Sequence, residues 1–205
     1  MKTATYDLED TSFTVDFTAG YDIGGTGIEV TDIADMIYTG MPIKPQLEIK
    51  HNGTDLVEDT DFKVTYEENT DVGTATITIT GIGNYSGQKI ITFNIVKASN
   101  PLAVTPKTAK VKYKNLRKKK QIVKCSNVLT VSNAQGSIKY SLISVKRGKS
   151  KKYKKYFKIS ATTGNVTVKK KLKKGTYKIT CKVTAAGNTN YIDAAKTVTF
   201  RIKVK

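Results

Sequence analysis

The sequence predicts an all-β chain organised as two tandem antiparallel β-sandwiches. Three observations carry that expectation. Apolar and polar residues alternate at period two along many short stretches, Gly and Asn punctuate those stretches, and a terminal hairpin pattern occurs once in each half. In GTATITIT (73–80), Ala75, Ile77 and Ile79 point one way and the four threonines point the other. That is the signature of a half-buried strand rich in β-branched residues. The same alternation runs through Phe13/Val15/Phe17, Phe62/Val64/Tyr66 and Ile91/Phe93/Ile95, and through Tyr177/Ile179/Cys181/Val183 and Val198/Phe200/Ile202/Val204. No stretch carries a helical stripe. Short strands separated by turn residues favour packed antiparallel sheets.

Turn chemistry places the strand ends. His51-Asn52-Gly53 lies between two extended runs, and Asn-Gly supplies the positive φ angles of a tight hairpin. TTGN (162–165) and KKG (173–175) mark further turns. VKASNPLAV (96–104) reads as a linker, because it follows a finished strand and contains Pro101. The two halves echo each other. Gly73-Thr74 and Gly175-Thr176 each open an alternating strand, followed by Gly-Asn, a nearby Tyr and a closing Thr-Phe-x-Ile. Residues 1–26 match neither half: TSFTVDFTAG reads as one more strand, which could be the end of a preceding domain, and GYDIGGTG as a hinge. The expected division is therefore 1–26, 27–97 and 98–205.

The 205 residues are enough for two small domains, and 39% apolar content suits small sandwiches better than one large core. No run of about 18 apolar residues offers a membrane span. The opening MKTATYDLEDTSF has no apolar signal core, so an exported protein would contain this chain as a piece of something longer. The net charge of +18 hides a reversal. Residues 1–100 hold 6 basic and 16 acidic residues, a net −10; residues 101–205 hold 29 basic residues and one acid, Asp193, a net +28. Such a break marks a boundary and attracts polyanions to the second half.

IADMIYTGMPIKPQLEI, TDFKVTYEENTDVGTATITITGIGNYSG and ITFNI together resemble an Ig-like repeat of Gram-positive, clostridial-type surface proteins. The signposts are Tyr38-Thr39-Gly40, Pro42, Pro45, Asp61-Phe62, Tyr66, Asn69, Gly73-Thr74-Ala75, Gly81, Gly83-Asn84-Tyr85, Gly87 and Phe93. Where that repeat usually shows Gly-Thr-Asp-Tyr, this chain has Asp59-Thr60-Asp61-Phe62. Residues 99–205 are similar, more loosely, to a cadherin-like or Ig-like surface repeat that lacks the acidic calcium motifs. The resemblance implies two Ig-like sandwiches in an exported, extracellular stalk, spacer or adhesive segment at a bacterial cell surface. Its expected partners are neighbouring repeats of the same chain, and no cofactor is implied. Some surface domains of this kind carry a Lys–Asn or Lys–Asp isopeptide bond, but the second half has only Asp193 to assist one.

Catalytic chemistry is not expected. The single histidine, His51, sits beside a turn, where a solvated side chain is the ordinary outcome, and a triad needs a base that is held and oriented. No phosphate loop, HExxH or Cys-x-x-Cys is present. Glu58, Asp59, Asp61, Glu67, Glu68 and Asp71 crowd a short segment, but their spacing matches no EF-hand, and solvated turn acids are the expectation. Cys125 shares the face of Val123, and Cys181 that of Ile179 and Val183. They are either two separate buried thiols or a bond across the sandwich comparable to the Ig inter-sheet bridge. A bond would close a loop of about 56 residues, worth roughly 4 kcal/mol in the chain-entropy model. Tyr85, Tyr153, Tyr156 and Tyr191 could form a sugar platform, although packing roles are commoner for tyrosine.

The densest charge is KRGKSKKYKKYFK (146–158). Its candidate polyanion contacts are Arg147, Lys151, Lys152, Lys154 and Lys155. Basic runs also occur at 117–120 and 169–174, so the expectation is charge spread over the domain and a solvated loop at 146–158. In residues 101–205, 26 of the 29 basic residues are Lys. Base reading and bidentate phosphate clamps favour Arg. A cell-wall polyanion or an extracellular acidic glycan is therefore a better-matched ligand than a specific nucleic acid.

Overall fold

A computed structural model describes residues 20–205 together with the backbone of Lys2–Leu8 and Thr11–Phe17. These two strands pair antiparallel, Lys2 opposite Phe17 and Leu8 opposite Thr11. The alternation expected at Phe13, Val15 and Phe17 lies outside the side chains described. The chain is all-β apart from short helical turns, and it divides into two compact units, Met1–Val96 and Lys97–Lys205.

In the first unit a four-stranded sheet runs in the order Met36–Ile37, Gln88–Val96, Gly73–Gly81, Phe62–Glu67. Ala75, Ile77 and Ile79 face inward, as their period-two spacing requires, and meet Phe62, Phe93 and Ile95 from the neighbouring strands. A second sheet of Ile28–Val30, Ile49–His51 and Thr54–Asp55 adds Ile28 and Ile49 to the same core. Two sheets sharing one core make a sandwich. The hairpin at Asn52-Gly53 forms as expected: φ is 50° at Asn52 and 82° at Gly53, and His51 pairs with Thr54 across it. Residues 20–26 are not a hinge. Tyr21–Asp22 pairs in parallel with Tyr85–Ser86, and Ile23 is fully buried, so an apolar anchor fastens this stretch to the first unit.

The second unit repeats the plan. Its four-stranded sheet runs Thr108–Val111, Ala194–Val204, Gly175–Ala185, Ile138–Lys146. In both units the last strand lies between the strand opened by Gly-Thr and an early strand that pairs with it in parallel. The echo in sequence is thus an echo of topology, with one parallel pair at the edge of each otherwise antiparallel sheet. Gln121–Val123, Val166–Val168 and Phe157–Ile159 form the facing sheet, and Val123, Val166, Val168, Phe157 and Ile159 join Tyr177, Ile179, Phe200 and Ile202 in one core. Ala103–Pro106 and Leu129–Ser132 make a further antiparallel pair.

Two local features differ from expectation. Tyr113–Lys118 is an α-helix whose only buried residue is Leu116; six residues are too few to write a helical stripe. The segment expected as a linker is built into the second unit from Lys97 onward. Ala98 N–H donates to Asn190 O at 3.0 Å, Asn100 Nδ2 donates to Gln135 O at 2.9 Å, and Leu102 is buried. Hydrogen bonds of this kind, together with a buried leucine, outweigh the looseness that Pro101 and the polar residues suggest.

Two isoleucines of the first unit test this core. Ile77 is fully buried, whereas Ile90, on the adjacent strand, is 65% exposed. Ile77→Ala is expected to cost about 3–4 kcal/mol and Ile90→Ala less than about 0.5 kcal/mol, read from denaturant midpoints followed by circular dichroism.

Candidate functional site

Three basic runs meet at one end of the second unit. In YKNLRKKK (113–120) the single leucine, Leu116, is 0% exposed, and around it Lys114, Arg117, Lys118, Lys119 and Lys120 point to solvent. In KKKLKK (169–174) the single leucine, Leu172, is 2% exposed, with all five lysines outside. A leucine within a charged run leaves water only by turning inward, and that forces its charged neighbours outward. The third run, 146–158, leaves the strand Ile138–Lys146 through a tight turn. Arg147 N–H donates to Ser150 O at 3.0 Å and Ser150 N–H to Arg147 O at 3.2 Å. A 3₁₀ turn at Lys154–Tyr156 then leads into Phe157–Ile159.

Hydrogen bonds tie the second and third runs together. Lys169 N–H donates to Tyr156 O at 2.8 Å, and Arg147 Nη2 donates to Lys174 O at 2.9 Å. Lys118–Lys120 and Lys169–Lys171 line an open trough of about 510 Å³. Beside it, Tyr113, Lys114, Arg117, Lys118, Lys174 and Lys205 line a cavity of about 540 Å³. Exposed lysines also lie along the long strands, at Lys139, Lys178, Lys182 and Lys196, so the charge is spread over the domain; within that spread, two of the basic runs share one trough. Runs far apart in sequence are neighbouring loops of one sandwich.

The five candidates read from sequence have unequal positions. Lys151, Lys152, Lys154 and Lys155 are exposed, and Lys155 Nζ lies 5.5 Å from the centroid of the Tyr156 ring. Arg147 is a brace. Besides its bond to Lys174 O, its guanidinium carbon sits 5.8 Å from the centroid of the Tyr177 ring. Tyr177 is fully buried, and its hydroxyl donates to Lys173 O at 2.7 Å. Burial pushes the Tyr177 phenol up, partly opposed by Arg147. Tyr153 and Tyr156 are half-buried against the core, with the Tyr153 ring edge-on to Tyr177 at 5.3 Å. The lysines at 118–120 and 169–171 escaped the sequence reading as a site. The available signal was the single leucine in each run.

Both cysteines are free thiols in the structure. Cys125 lies beyond the strand Gln121–Val123, at the start of a 3₁₀ turn, where its N–H donates to Asn165 Oδ1 at 2.9 Å. Gly164 sits against it with φ 67°, and a Cβ there would come within 2.6 Å of Cys125 Sγ. Cys181 is buried on the strand Gly175–Ala185. Burial, then the nearby Cys125, pushes its thiol up to about 11. Tyr140 is pushed up to about 12 by burial and by its hydrogen bond with Cys125.

In the first unit His51 is held, contrary to the solvated turn residue expected. Nδ1 lies 3.2 Å from Tyr85 Oη, Nε2 lies 3.2 Å from Asn52 Nδ2, and the Tyr21 ring packs edge-on at 4.4 Å. The parallel pairing of Tyr21–Asp22 with Tyr85–Ser86 brings both tyrosines to it. Both ring nitrogens thus have a side-chain hydrogen-bond partner. Among the described residues, no three His, Cys, Asp or Glu side chains gather as a metal site, and Asp61 Oδ2 accepts from Val57 N–H at 2.8 Å as a turn residue.

No family model matches the chain. No curated protein matches it either. Among solved structures, protocadherin gamma B2 extracellular cadherin domains 3–6 align with 86% of this chain and 50% of that one, at 13% identity and TM-score 0.44. The chain thus spans half the length of that structure. Human mucin-like protocadherin EC1-2 aligns with 87% of this chain and 98% of that one, at 13% identity and TM-score 0.43. Mouse clustered PcdhgC3 EC1-3 aligns with 99% and 76%, at 14% identity and TM-score 0.43.

Two measurements check this geometry. Tyr140 and Cys181 have folded pKa values near 12 and 11, above their ordinary 10.0 and 9.0, so the unfolded state loses protons first as pH rises. Their contribution is full below pH 9 and is lost between about pH 9 and 12. Tyr140→Phe is expected to lose less stability than the parent over pH 10 to 12, read as denaturant midpoints at each pH. In the unfolded, unreduced protein two thiols should titrate; a mass about 2 Da lower without reductant would instead mark a bond.

Proposed function

We propose that this chain is a non-catalytic spacer or adhesive stalk segment of an exported protein at a bacterial, Gram-positive-type cell surface. The observation that carries the reading is the repeat: two units share one sheet topology, and the first carries the Ig-like signposts in sequence. Repeated sandwiches extend a chain by addition of self-contained modules. We take 27–97, joined by residues 20–26, and 98–205 as the two domains, with neighbouring repeats as the natural partners.

A second reading is a binding module whose basic domain, 98–205, holds an anionic cell-wall polymer or an acidic glycan. The meeting of three basic runs at one end favours it, as does the near absence of acids in that half. Lys in place of Arg speaks against base-specific nucleic-acid recognition.

Location and modularity are both testable. Antibody against the chain should label intact, non-permeabilised cells of the source organism. Residues 20–97 and 98–205, expressed separately, should each unfold cooperatively. Labelling only after permeabilisation would overturn the surface reading.

A further inference from the structure

We propose that the trough between Lys118–Lys120 and Lys169–Lys171 is a binding site for a linear acidic polysaccharide. The proposal rests on the second reading above and gives it a place and a ligand class. Six lysines line the trough, so its walls are aliphatic stems and its rims are ammonium groups. A ligand matched to this lining carries anionic groups at intervals and presents C–H faces between them. A carboxylated or sulfated sugar chain does both.

The charges lack acidic counterparts. Asp193 is the one acid in residues 101–205. The lysines are also held in place. Leu116 pins one wall and Leu172 the other, both buried in the same core. Lys171 has φ 68°, a left-handed backbone position that tightens the turn carrying its wall. Lys174 Nζ lies 5.7 Å from the centroid of the Tyr113 ring, placing a further cation in the adjoining cavity. Lysines are point donors on flexible stems, suited to anionic groups repeated along a chain and unsuited to reading bases. Arg147 stays out of the site, since its guanidinium is spent on Lys174 O and the Tyr177 ring.

The test compares two triple variants of the full chain with equal charge loss. Lys119→Gln/Lys169→Gln/Lys170→Gln alters the trough. Lys139→Gln/Lys182→Gln/Lys196→Gln alters the opposite end of the long sheet, where Thr184, Thr197 and Val183 are their strand partners. Heparin fragments serve as the sulfated probe, polygalacturonate as the carboxylated probe and duplex DNA as the comparator, at about 50 and 200 mM salt. The expected result is roughly tenfold weaker glycan binding for the trough variant, with its log–log salt slope smaller by about 2 to 3. The opposite-end variant should change affinity less than about twofold. Preference for one glycan probe over the other identifies the acidic group and supports the site. Equal losses in both variants would overturn the trough while leaving the second reading in place. Tighter binding of DNA than of either glycan would overturn the ligand class. No binding by the parent at the lower salt would overturn the site and the second reading together. Unchanged melting temperatures in both variants establish that folding is intact, as expected for exposed side chains.

Discussion

The second unit depends on apolar burial along two adjacent strands, because its charges oppose its folding. Residues 101–205 carry 29 basic residues and a single acid, so ion pairing cannot offset the repulsion within that half. Tyr177, Ile179, Cys181 and Val183 on one strand, and Phe200, Ile202 and Val204 on the next, are all buried. A fully buried side chain of this size contributes about 1.5–3 kcal/mol. Two unit charges 4 Å apart in water cost about 1 kcal/mol, and salt screens them beyond about 8 Å at physiological strength. The core prevails provided each lysine stays wet. Period two arranges this along the strand, where Lys178 and Lys182 alternate with the buried row and are exposed.

That alternation is also why so much of the fold was legible. A strand writes its buried face into every second residue, so Ala75/Ile77/Ile79 and Tyr177/Ile179/Cys181/Val183 announce both element and orientation. Asn52-Gly53 is legible for a different reason, since few residues tolerate its backbone angles. What the sequence does not write is the proximity of loops. Lys118–Lys120 and Lys169–Lys171 are about 50 residues apart, and only the order of strands in the second unit makes them opposite walls. The same limit hid the company of His51, which depends on a parallel pair of two residues each. The helix at Tyr113–Lys118 was too short to leave a period, and the docking of Ala98 and Asn100 needed partners near residues 135 and 190.

The two units solve one architectural problem with opposite surfaces. Each has the same order of strands in its large sheet, yet the first half carries −10 and the second +28. Topology is therefore indifferent to the sign of the exposed residues, as it must be when the inward rows alone define the core. The charge of each unit is free to vary with what its surface meets.

A lysine run left to itself is an extended, solvated segment, because its charges repel and nothing in it can be buried. One leucine changes that. Burying Leu116 or Leu172 fixes the backbone on both sides, and the flanking ammonium groups become a surface of defined shape. Much of the ordering cost of binding is then met by folding, before any ligand arrives. Lysine stems keep their own rotational freedom, so affinity for each anionic group stays small and adds up only along a chain of such groups. On the proposed reading, such an arrangement would favour a chain of repeated anionic groups over a single small anion, with binding that salt reverses.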